Sequence, residues 1–219
     1  MPRHSAAAGE DGAPTSVSGF RYLGAEAFVF GFPLLTMAAR MRQATDVAGR
    51  SDGAPGKRIE GQAPPNQFAH LDRFPDPTLT AVVAANANTL YSLAWLDLAD
   101  EPILLELPPT GGRSYLLPLV DAWTNVLACL GPRTNGQAGG VYAFAGPGWE
   151  GDLPSGVHRI DSATNTIWAI SHIHSFDGKE DLAADLSIQR HLRLSPLSAF
   201  GGATAPPERI AGAAPEFDR

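Results

Sequence analysis

From Leu79 onward the chain is cut into short apolar segments closed off by Asn, Asp, Gly or Pro, and this punctuation limits the fold most. The segments are LTAVVA, TLYSLAWLDL, PILLEL, RSYLLPLV, TNVLACLG, VYAFAG and TIWAISHIHSF. Each reads as a strand, and with no helical pattern between them the set predicts an antiparallel sandwich or barrel. In Thr89–Leu98, alternation puts Leu90, Ser92, Ala94, Leu96 and Leu98 on one side and Tyr91, Leu93, Trp95 and Asp97 on the other. Both sides are partly apolar, as in a strand held between two layers.

The part before Leu79 follows different rules. Residues 1–19, MPRHSAAAGEDGAPTSVSG, lack the apolar run of a secretory leader and are expected to form a disordered tail. From Tyr22 to about Ala44 apolar residues recur at helical spacing, with Phe28, Leu35 and Met41 on one broad face. Gly31 and Pro33 in its middle predict a kink or two shorter helices. Thr45–Pro77 holds five prolines and no clean period, as expected of a functional covering or of short elements. After the last strand, Asp177 is a good N-cap with Glu180 three residues on, which predicts a helix to about Leu192. Residues 199–219 are rich in Gly, Ala and Pro and read as a loose tail. The expectation is one domain over residues 20–198, α+β but mainly β. It is an antiparallel sandwich or jelly-roll-like unit with an N-terminal helical segment and one C-terminal helix.

Composition narrows the possible partners. Hydrophobic residues make up 44% of the 219 residues and charged ones only 18%, enough for one buried core. A net charge of −7 with no Lys/Arg cluster argues against nucleic acid and anionic membranes, and a small-molecule ligand is expected instead. No window reaches the roughly 18 consecutive apolar residues of a membrane span. The single cysteine, Cys129, makes no internal disulfide, which agrees with a cytoplasmic protein. The low charge leaves room for a subunit interface in a homo-oligomer. There is no G-x-S-x-G elbow, P-loop, dinucleotide fingerprint, paired C-x-x-C or H-E-x-x-H, so the common hydrolase, NTPase, dehydrogenase and zinc-protease solutions are set aside.

The order of motifs is informative where no single one is. GFPLL, NQFAHLDRF, ANANTLYSLAWLDL, ELPPTGGRSYLLPLVDAWTNVLACLGPRTNG, FAGPGW and IWAISHIHSFDGKEDL follow one another between about residues 24 and 198. This series resembles the bacterial family called domain of unknown function 1254. The resemblance implies a mainly antiparallel β domain with helical additions. It also implies a single-domain form, since longer members carry a second domain, of unknown function 1214, after the first. Asn66, His70, Arg73, Asn86, Tyr91, Asp97, Arg113, Tyr115, Asp121, Asn125, Gly131, Arg133 and Thr134 coincide with the family pattern. Two positions depart from it. The family's Asn-x-Asp-Thr-Leu-Tyr is here Asn86-Ala87-Asn88-Thr89-Leu90-Tyr91, an amide for a carboxylate. Its Ile-Gly-Arg-Thr is here Ile170-Ser171-His172-Ile173, with His174 next, so an arginine has given way to histidine. A charge pair lost from both ends at once is the plain account of the two changes.

The histidines are the leading functional candidates. Two apart on a predicted strand, His172 and His174 face one side, roughly 7 Å apart. They suit proton transfer or, with a third ligand, a divalent transition metal. Glu180, after five intervening residues, is the candidate third ligand and gives a spacing near that of cupin metal sites. The alternative is a solvated or hydrogen-bonded pair with no chemistry. Arg133, after Gly131-Pro132 at a strand end, suits carboxylate or phosphate capture, or else ties down a turn. Tyr91 and Trp95 share a face and would floor an apolar pocket or belong to the core. Asn86, Asn88, Asp121, His70 and Arg73 complete the candidate substrate-binding set, Asp121 being equally suited to holding turn backbone. The function expected is an enzyme for a small, partly apolar metabolite in a β-sandwich cleft, with His172, His174, Arg133 and Tyr91 as catalytic groups. The alternative is a non-catalytic small-molecule-binding or oligomerisation module.

Overall fold

The computed structural model describes residues 17–47, 60–79, 85–175 and 182–201. A long helix, α1 (Val17–Thr45), precedes eight strands: β1 (Ala69–His70), β2 (Thr89–Asp97), β3 (Ile103–Leu107), β4 (Tyr115–Asp121), β5 (Val126–Leu130), β6 (Gly140–Ala145), β7 (Val157–Asp161) and β8 (Thr166–His174). Helix α2 (Leu182–His191), strand β9 (Arg193–Pro196) and a short 3-10 turn follow. One sheet runs β1-β2-β8-β4-β5 and the other β7-β6-β3-β9. All pairings are antiparallel except β6 with β7, which is parallel. The mainly β, α+β class expected from the sequence is what the chain adopts.

The core lies between the sheets. Leu90, Ala94 and Leu96 of β2, Leu117 and Leu119 of β4, and Ile167, Ala169 and Ile173 of β8 meet Ile103, Leu105 and Leu107 of β3 and Phe144 of β6. Alternation therefore sends the predicted Leu90 side inward and leaves Tyr91, Leu93 and Trp95 on the outer face of the five-stranded sheet. The β2–β8 ladder spans nine residue pairs, from Thr89↔His174 to Asp97↔Thr166. Its outer face carries the Trp95 and Trp168 rings stacked at 5.4 Å and 6° between planes, a cross-strand aromatic pair. Central strand β4 tolerates Pro118, which has no N–H to give, because its ladder with β8 lapses between Leu116 and Leu119.

Three strands carry no periodic signal in the sequence. β1 is two residues long inside the proline-rich segment, β7 is mostly exposed, and β9 directly follows α2. The expected LTAVVA strand falls largely on residues 80–84, outside the described residues, as do Asp177 and Glu180.

Of the expected kink or two shorter helices, the second does not hold, because α1 is one 29-residue element with Pro33 inside it. Proline removes one backbone donor, a loss that an exposed helix tolerates because water satisfies a freed carbonyl. Its C-terminal half docks on the sheet: Met37 is buried, and the Thr166 hydroxyl lies 3.8 Å from the Met41 sulfur on the outer face. Phe30 packs on Trp123 of the β4–β5 turn with ring centroids 5.2 Å apart. From Val17 to Phe30 every residue but Gly19 is exposed.

Candidate functional site

Strand alternation keeps His172 and His174 on one side, as expected, and the register puts that side outward. Trp168, Ile170, His172 and His174 alternate with the buried Ile167, Ala169, Ser171 and Ile173. The two imidazoles are thus half-buried on the outer face of the five-stranded sheet, not in a cleft between the sheets. His172 lies across from Tyr91 on one side and Leu116 on the other. Its ring meets the Tyr91 ring edge-on, centroids 4.8 Å apart at 75°. The Tyr91 hydroxyl is spoken for, since it accepts the Asn86 backbone N–H at 2.8 Å.

The electrostatics single out His172. Its Nδ1 is buried with no hydrogen-bond partner. Burial pushes its pKa below the ordinary histidine value, and the Leu116 backbone only partly offsets this. Burial therefore disfavours the charged ring, and Nδ1 is a polar atom held out of water. A neutral imidazole in an apolar setting is chemically a proton acceptor in want of a donor.

The other candidates divide by position. Asn86 and Asn88 sit in the turn before β2, where the Asn88 carbonyl accepts the Ser175 N–H at 3.0 Å. Asn88 lies three ladder positions from the register partner of His172, so the two positions that depart from the family pattern share one end of the β2–β8 ladder. Arg133 is exposed in the turn after β5, at the same end of the sheet as His172 but two strands away. Trp95 is buried at the opposite end of the ladder against Trp168, whose indole nitrogen is also buried without a partner.

The remaining three stand apart. The Asp121 carboxylate is filled by its own turn, accepting the Trp123 and Asn125 backbone N–H groups at 2.9 and 2.8 Å and the Asn125 side chain at 3.1 Å. His70 bonds the inward-facing Ser92 hydroxyl at 2.8 Å through Nδ1, away from the outer face. Arg73 is tied to Glu60 at 2.7 Å and to Asp76, bracing the proline-rich segment. Among the described residues no group of three His, Cys, Asp or Glu side chains converges as a metal site. A cleft of about 100 Å³ at the far end of β2 is walled by Asn66, Asp97, Asp100, Glu101 and Ser198. There Glu101 is engaged by the Ser198 backbone and hydroxyl, at 2.6 and 2.8 Å.

Two side chains that matter here were missed from sequence. Gln189 of α2 is buried and donates to both the Leu71 and Tyr91 carbonyls at 3.0 Å, fastening β1 and β2 beside the Tyr91–His172 contact. Asp185, fully buried, takes Arg113 at 2.9 Å and anchors the same helix to the β3–β4 loop. Each occupies an inward position of a short amphipathic helix, a spacing that the sequence does contain but that does not name its partner.

This combination defines a class: a two-sheet, mainly β domain bearing a histidine–tyrosine contact on a largely apolar outer face. The chain belongs to the family described as protein of unknown function (DUF1254), whose model matches residues 65–196. Among solved structures it is similar to the VPA0106 protein from Vibrio parahaemolyticus, with a TM-score of 0.64 and 23% identity over 86% of this chain and 42% of that one. The chain thus spans less than half the length of that relative, and the likeness is one of fold. A fainter likeness, TM-score 0.35 and 16% identity over 58% of this chain and 36% of the other, is to an uncharacterized protein from Burkholderia cenocepacia. No curated protein matches.

Proposed function

We propose that this domain acts on a small, partly apolar metabolite bound against the outer face of the five-stranded sheet, with His172 as the proton acceptor. The observation that carries this is the buried, unpartnered Nδ1 of His172 beside the Tyr91 ring, with burial disfavouring the charged imidazole. Closed off from water, the atom stays without a hydrogen bond until the side chains over it shift and admit a ligand hydroxyl or amide. His174 and the exposed Arg133 stand at the same end of the sheet to orient a polar or anionic group, and Leu116, Ile170 and Pro118 provide apolar floor. The acid–base version is favoured over the metal version because it needs His172 alone, whereas Glu180, the candidate third ligand, lies outside the described residues.

The test is a metabolite-library screen by NMR on protein carrying labelled histidine, with the wild-type and His172→Phe chains compared. A ligand that shifts the His172 ring signals and loses at least tenfold in affinity with His172→Phe supports the proposal. Ligands that bind equally well to both chains would remove His172 from the site. Stoichiometric transition metal in the purified protein, lost with His172→Phe and His174→Phe, would replace the acid–base version with the metal one.

A further inference from the structure

Helix α1 carries more exposed apolar surface than any other described element. Only Gly19 and Met37 of its 29 residues are buried. Val17, Phe20, Tyr22, Leu23, Phe28, Val29, Phe30, Phe32, Leu34 and Leu35 are each between 36% and 73% exposed. We propose that α1 packs antiparallel against α1 of a second copy of this chain, making the protein a two-fold dimer through this helix. The inference is independent of the small-molecule site.

The pattern of large and small residues sets the register. The docked side of α1 is marked by Pro33, Met37 and Met41, four residues apart on one stripe. At 100° per residue the opposite side carries Phe20, Gly24, Phe28, Gly31, Leu35 and Ala39. A Cβ added at Gly24 or Gly31 would meet nothing within 4 Å, so both are open notches. In one antiparallel register Phe28 of each copy faces Gly31 of the other, Leu35 faces Gly24, and Phe20 faces Ala39. Every large side chain then meets a small one, and the two-fold axis passes midway between Phe28 and Gly31. This self-complementarity is what an isologous interface needs.

The area suffices. The exposed side chains sum to roughly 1,100 Å² of apolar surface, and about half faces a partner, so two copies together remove about 1,100 Å² from water, enough for a specific interface. A lipid bilayer is the competing occupant, because α1, although it lacks 18 uninterrupted apolar residues, is by length and average composition able to cross one, against the expectation from sequence. Against it, Phe30 and Met37 already pack on the domain, and a span of about 20 residues would strip them away. Glu26 and Pro33 also interrupt the stretch.

The experiment is analytical ultracentrifugation of the full chain at micromolar concentration, with and without phosphatidylcholine–phosphatidylglycerol vesicles. The expected mass is twice 23.1 kDa in both cases. Gly31→Leu adds a side chain where the monomer has open space, so it leaves the fold intact while raising the dimer dissociation constant at least tenfold. In a Cys129→Ser background, Phe28→Cys is expected to form an intersubunit disulfide. Phe20→Cys is not, because in this register its two copies are roughly 28 Å apart along the helix axis. A wild-type monomer, flotation with the vesicles as a monomer, an unaffected Gly31→Leu dimer, or cross-linking through Phe20→Cys each overturns the proposal.

Discussion

Replacing Gln189 by leucine tests how α2 holds the sheet beside the candidate site. The side chain is 1% exposed, and its amide nitrogen donates to the Leu71 and Tyr91 carbonyls at 3.0 Å each. Losing two buried hydrogen bonds costs about 2 kcal/mol net. The Tyr91 carbonyl keeps the Leu71 N–H at 2.9 Å, whereas the Leu71 carbonyl is left without a described partner. That unmet acceptor adds about 1–3 kcal/mol, and the apolar gain from leucine returns about 1 kcal/mol. The expected loss is about 2–4 kcal/mol, which for a chain of this size lowers Tm by roughly 4–15 °C. Urea unfolding followed by tryptophan fluorescence should show a lower midpoint at unchanged slope. Gln62→Leu is the control: its amide bonds the Gln43 carbonyl at 2.7 Å in an exposed setting, and it should cost less than about 0.5 kcal/mol. A Gln189→Leu chain within about 0.5 kcal/mol of wild type would refute the idea that this amide fastens the sheet.

The histidines make stability depend on pH. Burial lowers both His70 and His172 below the ordinary value of 6.5, so near and below that pH the unfolded chain binds more protons than the folded one. Stability is therefore at its plateau above pH 6.5 and falls as pH drops through 6.5 toward the folded values. Urea midpoints measured across that window should show this, and His172→Phe should flatten it; a stability that rises on acidification contradicts the assignment. Leu96→Ala removes a fully buried core side chain and should cost about 2–5 kcal/mol in the same assay. Gly139→Ala would drive a Cβ into the Leu107 carbonyl oxygen at φ 81°, whereas Gly148→Ala at φ 75° meets nothing within 4 Å. The first should therefore destabilise by more than the roughly 1–2 kcal/mol of left-handed strain expected for the second, and equal costs would contradict the close approach of the Leu107 backbone to Gly139.

The sequence carried the strands that alternate and missed those that do not. β2, β3, β4, β5, β6 and β8 each repeat every second residue or run apolar between turn residues, so local chemistry marks them. β1, β7 and β9 exist because a neighbouring strand offers unpaired backbone, which is a property of the assembled sheet. The same division runs through the candidate site. That His172, His174, Tyr91 and Trp95 share sides of their strands follows from the two-residue period. That Tyr91 meets His172, and that both face outward, depends on how β2 and β8 register and on which side the second sheet packs.

What the amino-acid order determined alone is the class of fold, the helix at each end and the pairing of side chains by face. All of these follow from periodicities a few residues long. Tertiary structure decided which face became the core, took Asp121 and Arg73 for turn and loop, and brought Gln189 to the sheet and Asp185 to the β3–β4 loop from more than 70 residues away. It also left the apolar α1 largely unpacked, because a helix repeat specifies that a face must be covered but not what covers it.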